Sequence, residues 1–384
     1  RHQVLNIMFI YLITSLSFLS GCSFFGVIED ICPHEKLEHL SEILKLMRAW
    51  KASSGIITKN NRQLHPILVD TTLYAASSAG VITAFDAETG KTLWNRKLKL
   101  NLSAGVGYGD GLLLAGTEEG EVVALYASNG NPAWVGAVQG GVAASPEGGQ
   151  NVVVVPITGN KLVGLSATDG SLVWNLTESN PRLLLRGRGR PLVVTDVVLA
   201  GFDNGKLTLI RLDNGQRLWE VRVGDAIGKT EIERMTDVDA RPMIVNDTVY
   251  TAAYQSRVIA IDAPTARMMW ENEVSTNKDM DADEKHLYVV AEGDIVYAID
   301  RKSGETAWEQ DKFANRKLTP PAVLDEYIIV GDSEGYIHIL NSSTGVIEGR
   351  EKVGGEFLAQ PVTRGQTVWM QNLDGDIFAW QLSQ

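Results

Sequence analysis

Along most of this chain the apolar residues come in short runs or in strict alternation with polar ones. Val81-Ile82-Thr83-Ala84-Phe85, Ile295-Val296-Tyr297-Ala298-Ile299 and Tyr336-Ile337-His338-Ile339-Leu340 are typical. Such runs, rich in β-branched and aromatic residues and bounded by turn formers, predict half-buried strands. The chain then turns polar in a recurring way. Asp86-Ala87-Glu88-Thr89-Gly90 follows one strand, and Trp94 stands four residues past the glycine. A short polar side chain can bond the turn backbone, and glycine accepts positive φ at no steric cost. The stretch therefore reads as a hairpin whose returning strand opens on a large apolar ring.

The unit repeats. Gly90, Gly130, Gly170, Gly215, Ala266, Gly304 and Gly345 mark successive turns, spaced 40, 40, 45, 51, 38 and 41 residues apart. The position four residues on is Trp94, Trp134, Trp174, Trp219, Trp270, Trp308 and Gly349, so two copies are degenerate: Ala266 replaces glycine and Gly349 replaces tryptophan. A fixed unit of about forty residues signals an array, and hairpins that must cover each other's apolar rings by radial stacking form a β-propeller. The strand before the turn occurs eight times, beginning near Gly80, Gly120, Lys161, Gly205, Arg257, Asp294, Gly335 and Gly375. The last copy ends without a turn or returning strand, while Trp50 begins a strand-like stretch with no hairpin ahead of it. The expectation is an all-β, eight-bladed propeller over residues 50–384, its ring closed by the N-terminal strand so that no sheet edge is left open there.

Composition agrees with a large β domain: 384 residues, 44% hydrophobic, with 37 Gly. The formal net charge of −12 argues against a nucleic-acid binder, whose phosphate contacts need a basic surface. Residues 1–21 read as a lipoprotein signal peptide: Arg1-His2 precedes an apolar run that ends in Leu19-Ser20-Gly21-Cys22. That ending resembles the bacterial lipobox, with Cys22 as the lipidation site and the neighbouring Ser23 directing the chain to the outer membrane. Residues 22–49 are then a lipidated tether. Its part from Glu35 to Met47 has apolar residues at 37, 40, 43 or 44, and 47, a spacing that predicts a helix.

Catalytic constellations are scarce. The six His, at 2, 34, 39, 65, 286 and 338, show no metal-ligand spacing, and neither a nucleophile elbow nor a P-loop is present. The repeat turn resembles the tryptophan-docking motif of the quinoprotein dehydrogenases, which makes a periplasmic quinoprotein-like dehydrogenase the enzymatic alternative. That family holds its quinone with long insertions, a calcium site and commonly an adjacent Cys pair. Here Cys22 and Cys32 are not adjacent and most repeats are of minimal length. The expectation is no catalytic residue, no metal and no cofactor.

Two repeats are longer, and a rigid scaffold displays its binding groups on loops. One carries Asn180-Pro181-Arg182-Leu183-Leu184-Leu185-Arg186-Gly187-Arg188-Gly189-Arg190; the other carries Thr230-Glu231-Ile232-Glu233-Arg234 and Asp237-Val238-Asp239. On one reading the basic and acidic loops fasten neighbouring blades, Arg186 or Arg190 against Asp237 or Asp239. On another, Leu183, Leu185 and Arg186 form an exposed anchor of the composition found at interface hot spots. Both can hold at once.

These residues, with Asn61-Arg62-Gln63-Leu64-His65-Pro66 and Val330-Gly331-Asp332-Ser333-Glu334-Gly335-Tyr336, give the chain its resemblance to the BamB family, lipoprotein propellers of the outer-membrane β-barrel assembly (BAM) complex. The resemblance implies a non-catalytic scaffold, lipid-anchored at the periplasmic face of the outer membrane, that binds the POTRA domains of BamA and assists nascent outer-membrane proteins. Carried over position by position, it implies BamA contacts at Leu183, Leu185, Arg186, Asp237 and Asp239. A scaffold for another envelope protein is the remaining alternative. The Arg188-Gly189-Arg190 triplet is more basic than the family's loop, and a helical tether departs from its short extended leader.

Overall fold

Eight antiparallel sheets follow one another around a ring in the computed structural model, which describes residues 34–40, 44–59, 63–179, 189–225 and 236–382. Blade 1 shows the unit: Ile67–Val69 innermost, then Thr72–Ala76, Val81–Asp86 and Thr92–Lys97 on the outside. Blades 3 to 7 repeat this order, and blade 2 gains a fifth strand, Gln63–Leu64, parallel to its inner strand Ala104–Gly109. Inner strands of adjacent blades touch, as Glu147–Gly149 does with both Ala104–Gly109 and Leu192–Val194. The second and third strands are apolar on both faces, as the runs in the sequence predict, because each sheet is covered by a blade on either side.

Closure follows the expected route. Blade 8 consists of Val362–Arg364, Thr367–Gln371, Asp376–Leu382 and, as its outer strand, the N-terminal Leu46–Ser53. Leu46 pairs with Leu382 and Ser53 with Asp376, and Lys51 forms a 2.9 Å ion pair with Asp376. The strand begins at Leu46 rather than at residue 50.

The helix predicted over Glu35–Met47 is a correction. Residues 34–40 and 44–45 carry no helix, and Leu46 and Met47 already belong to the closing strand; residues 41–43 lie outside the described set. The amphipathic spacing is real, but the backbone groups are spent on blade 7. The Glu35 N–H donates to the Ala314 carbonyl (3.0 Å) and the Leu44 N–H to that of Glu348 (3.2 Å). A segment bonded to a neighbouring blade satisfies the same polar groups that a helix would have paired internally.

Each repeat tryptophan leaves its own blade and lies on the turn of the next. Trp94 donates its indole N–H to the Ala127 carbonyl at 3.0 Å, Trp134 to Ala167 at 2.7 Å, Trp174 to Leu212 at 2.7 Å, Trp270 to Arg301 at 2.9 Å and Trp308 to Ser342 at 2.9 Å. Trp50, on the closing strand, does the same with Ala87 at 3.1 Å. In every case the acceptor stands three residues before the turn glycine, and the ring covers that glycine. A β-carbon at Gly90, Gly130, Gly170, Gly215, Gly304 or Gly345 would stand 2.5–2.9 Å from a tryptophan atom. These glycines also have φ between 69° and 77°. Two constraints therefore meet at one residue, a left-handed backbone and a ring at contact distance.

The degenerate turn keeps the geometry. Ala266 sits at φ 57°, and Trp219 still donates to the Ala263 carbonyl at 3.1 Å. An L-residue there costs about 1–2 kcal/mol of backbone energy. Ala266→Gly should therefore raise stability by up to about 1 kcal/mol, after the greater entropy of a glycine in the unfolded chain is set against it. Gly130→Ala should lower stability by about 2–4 kcal/mol, since strain and overpacking of Trp94 add. Chemical denaturation of the two variants checks both signs.

Candidate functional site

Leu183, Leu185 and Arg186 lie outside the described residues, as do 226–235 of the acidic loop. Their stems are described, and the two come together. A β-carbon on Gly189 would stand 2.9 Å from the Asp239 carbonyl oxygen and 3.1 Å from that of Val238, so the exit of the first loop lies directly on the exit of the second. Only a residue without a side chain allows two backbones this close. Gly201 packs against Val238 in the same way. The first loop's entry is held by Asn160, whose side-chain amide donates to the Ser179 carbonyl at 2.9 Å. The second loop's entry is held by Arg257, which donates to the Val223 carbonyl at 3.0 Å and faces Asp225 at 3.4 Å.

Asp237 and Asp239 differ in environment. Asp237 is 1% exposed, and its backbone carbonyl accepts from the Tyr254 N–H at 2.9 Å; Asp239 is half-buried. Asp237 is thus part of the loop's foundation, whereas Asp239 is less deeply buried.

Arg190 turns inward. Its guanidinium pairs with Asp279, which stands ahead of blade 6's inner strand, a partner that a search of the neighbouring loop does not propose. Asp279 also accepts the Arg241 backbone N–H at 2.7 Å, and the Arg241 guanidinium takes both oxygens of Glu147, at 2.9 and 2.7 Å. One carboxylate therefore holds the C-terminal stems of both loops, and a second carboxylate from blade 3 holds Arg241 from the other side.

His65 belongs to the same cluster. Burial lowers its pKa to about 3, the charges of Arg190 and Arg241 push in the same direction, and the attraction of Asp279 only partly offsets them. Burial pushes the Asp279 carboxyl up, but the Arg190 charge and the Arg241 N–H outweigh it and hold the group below the usual carboxylate range. The cluster thus balances Arg190 and Arg241 against Asp279 and Glu147 with a neutral imidazole alongside.

The signal for this cluster was in the repeat. His65, Ser145, Arg190, Arg241, Asp279 and Gln360 each stand two residues ahead of the inner strand of their own blade. Inner strands line the axis, so aligning the repeats and reading down this one column collects residues scattered over nearly 300 positions. Gln360 uses the position in the same spirit, donating to the carbonyls of Pro321 (2.8 Å) and Met280 (3.2 Å).

Among the described residues no group of three or more His, Cys, Asp or Glu side chains is placed to hold a metal ion. What the site offers is a rigid double stem at the ring surface, anchored through the axis. The class this defines is a tryptophan-docked, eight-bladed propeller with two long loops whose stems are joined.

Comparison with known proteins fits that class and sharpens it. The family model described as "Outer membrane protein assembly factor BamB" matches residues 78–310 and 294–383. The curated BamB of Pseudomonas aeruginosa is 42% identical over 352 residues, covering 91% of this chain and 93% of that protein. The BamB of Escherichia coli K12 is 34% identical over 377 residues, 95% and 96% of the two chains. The crystal structure of BamB from Moraxella catarrhalis superposes with a TM-score of 0.80 at 27% identity, covering 88% of this chain and all of that one. The chain belongs to the BamB family of outer membrane protein assembly factors. A quinohemoprotein alcohol dehydrogenase from Pseudomonas putida, at 12% identity and TM-score 0.68 over 88% of this chain and 76% of that one, shares the fold alone.

Two outcomes are expected of the axial cluster. Asp279→Ala leaves Arg190 without its counter-charge and should cost about 2–3 kcal/mol, and the Arg190→Ala, Asp279→Ala double variant should lose less than the sum of the singles. The His65 imidazole has its pKa depressed from 6.5, so its contribution is complete above that value. It is lost as pH falls toward about 3, because the unfolded chain takes up a proton that the folded one refuses. The stability gap between wild type and His65→Gln should therefore narrow or reverse as pH falls from 7 to 4, read by urea unfolding at each pH.

Proposed function

We propose that this chain is a non-catalytic scaffold of the outer-membrane β-barrel assembly complex, lipid-anchored through Cys22 on the periplasmic face of the outer membrane. It grips BamA POTRA domains with the paired loops above blades 4 and 5, and so helps present nascent barrel proteins to the membrane machinery. Family membership supports the assembly role, since the relatives it matches over more than nine-tenths of its length are named as assembly factors. The single observation that carries the site is the joint foundation of the two loops: Gly189 on Val238 and Asp239, with Asp279 bonded to both stems.

The chemistry of the loops suits the task. Leu183 and Leu185 supply apolar area and Arg186 a planar cation, the residue types that dominate interface energetics, while the half-buried Asp239 supplies a carboxylate beside them. Asp237 acts from beneath, as its burial requires. The bonded stems hold the loop bases in place before binding, which lowers the ordering cost of the contact.

Leu183→Ala, Leu185→Ala and Arg186→Ala should each weaken binding to isolated POTRA domains by about thirty-fold, roughly 2 kcal/mol, with little change in melting temperature. Asp237→Ala should lower both affinity and melting temperature, whereas Asp239→Ala should lower affinity alone. Full-affinity binding by the Leu183, Leu185, Arg186 triple variant, measured by calorimetric titration, removes the site. For the anchor, Cys22→Ala should abolish lipidation; an acylated variant in the mass spectrum would refute it.

A further inference from the structure

Seven tryptophans serve the eight blade junctions, and the junction without one is not a gap. At blade 7 the position of the docking tryptophan is Gly349, which pairs with Ile339 as Trp308 pairs with Ala298 one blade earlier. Its backbone does not need glycine, since its φ lies outside the left-handed region. It needs the space. A β-carbon at Gly349 would stand 2.5 Å from the carbonyl oxygen of Leu44, in the N-terminal segment that crosses blade 7. A tryptophan here would also lack a dock, because blade 8 has no turn between its third and fourth strands: Asp376–Leu382 ends near the C-terminus and Leu46–Ser53 is the other end of the chain.

The N-terminal segment fills the vacated place with its own side chains and backbone. Leu46, 6% exposed, joins the apolar cluster of Ile337, Ile339, Phe357, Phe378 and Trp380, and Leu44 packs against it. Ahead of them the chain crosses a buried polar platform. Arg316, 2% exposed, donates to Asp332 at 2.7 Å, to Glu334 at 2.6 Å and to the Glu35 carbonyl at 3.1 Å. Asp332 accepts from His338 Nε2 at 2.9 Å, Arg350 donates to His338 Nδ1 at 3.2 Å, and the same guanidinium donates to the Glu38 carbonyl at 2.9 Å. His34 meets Glu334 at 3.1 Å and Lys312 meets Glu38 at 3.5 Å. Two guanidinium groups aimed at two strap carbonyls read the backbone of Glu35 and Glu38, and Lys312 adds a contact to the Glu38 side chain.

We propose that blades 7 and 8 form a receptor for the chain's own N-terminal segment, made possible by the loss of one docking tryptophan. The receptor sets the point on the ring from which the membrane leash departs. The proposal rests on the anchor reading of the preceding section for the leash, and on residues 34–40 and 44–46 alone for the receptor. With the strap seated, the chain available between Cys22 and His34 spans at most about 40 Å; with it released back to Trp50, at most about 100 Å. The receptor thus limits where around its anchor the propeller can sit.

The receptor is tested on the Cys22→Ala full chain, which carries no lipid. Tryptic cleavage after Lys36 and Lys45 should be slow in the parent, and about tenfold faster in Gly349→Trp and in Arg350→Ala, with the melting temperature of the ring nearly unchanged in Arg350→Ala. The Arg350 variant stands in should the tryptophan variant fail to fold. Cleavage equally fast in parent and variants overturns the receptor. The leash is tested on the lipidated chain bound to phosphatidylethanolamine–phosphatidylglycerol vesicles, by energy transfer from a dye on the ring to a dye in the bilayer. Lower mean transfer and a broader distribution in Arg350→Ala are expected. Unchanged transfer in a variant whose strap is cut faster overturns the leash role while leaving the receptor. If the lipidated chain fails to bind vesicles, the anchor reading fails, and the leash role with it; the protease result is unaffected.

Discussion

The contact on which this molecule depends is a tryptophan lying on the turn of the next blade, its indole N–H bonded to a carbonyl three residues before the turn glycine. Burying such a ring contributes about 2–3 kcal/mol, and the hydrogen bond contributes about 1 kcal/mol more. The ring must lie flat on the turn to do both. This explains why the turn residue carries no side chain at six of the seven sites and why the seventh, Ala266, retains the left-handed backbone. Docking also passes around the ring in one direction, each blade covering its successor, so no blade is complete alone.

A closed chain of docks needs a solution where the polypeptide begins and ends. Pairing of the N-terminal strand with Asp376–Leu382 closes the hydrogen-bonded edge, and Trp50 restores the dock from blade 8 to blade 1. The dock from blade 7 to blade 8 has no turn to land on, and there the strap takes over, with Leu46 buried and Leu44 packed beside it. Gly349 and the strap are two halves of one arrangement, since any side chain at 349 would displace the Leu44 backbone.

The stems of the two long loops, ahead of blades 4 and 5, stand on a shared bonded base. Loops on a deformable base would lose their relative geometry, and the order imposed by a partner would be taken from its affinity. Here the bases are bonded across the axis, Arg190 and Arg241 to Asp279 and Arg241 again to Glu147. The stems are therefore tied to blades 3 and 6 as well as to their own. Burial, helped by the Arg190 and Arg241 charges, keeps His65 neutral through the ordinary physiological range.

The repeat, the number of blades, the closing strand and the unusual loops were all legible in the sequence, because each is written in local pattern: period-two apolar runs, turn residues at fixed offsets, and a recurring ring four residues past a glycine. Local pattern also misled once. The spacing from Glu35 to Met47 is amphipathic for a helix, yet its described residues form none, because Ala314, Glu348, Arg316 and Arg350 serve as partners for their backbone. No window of sequence contains that offer, since those residues follow some 280 to 310 positions later. The partnership of Arg190 with Asp279 and the reason for Gly349 were hidden for the same cause. Ring closure brings distant positions to the axis and lays one chain end over the other, and which groups then meet is settled only by the curvature of the assembled blades.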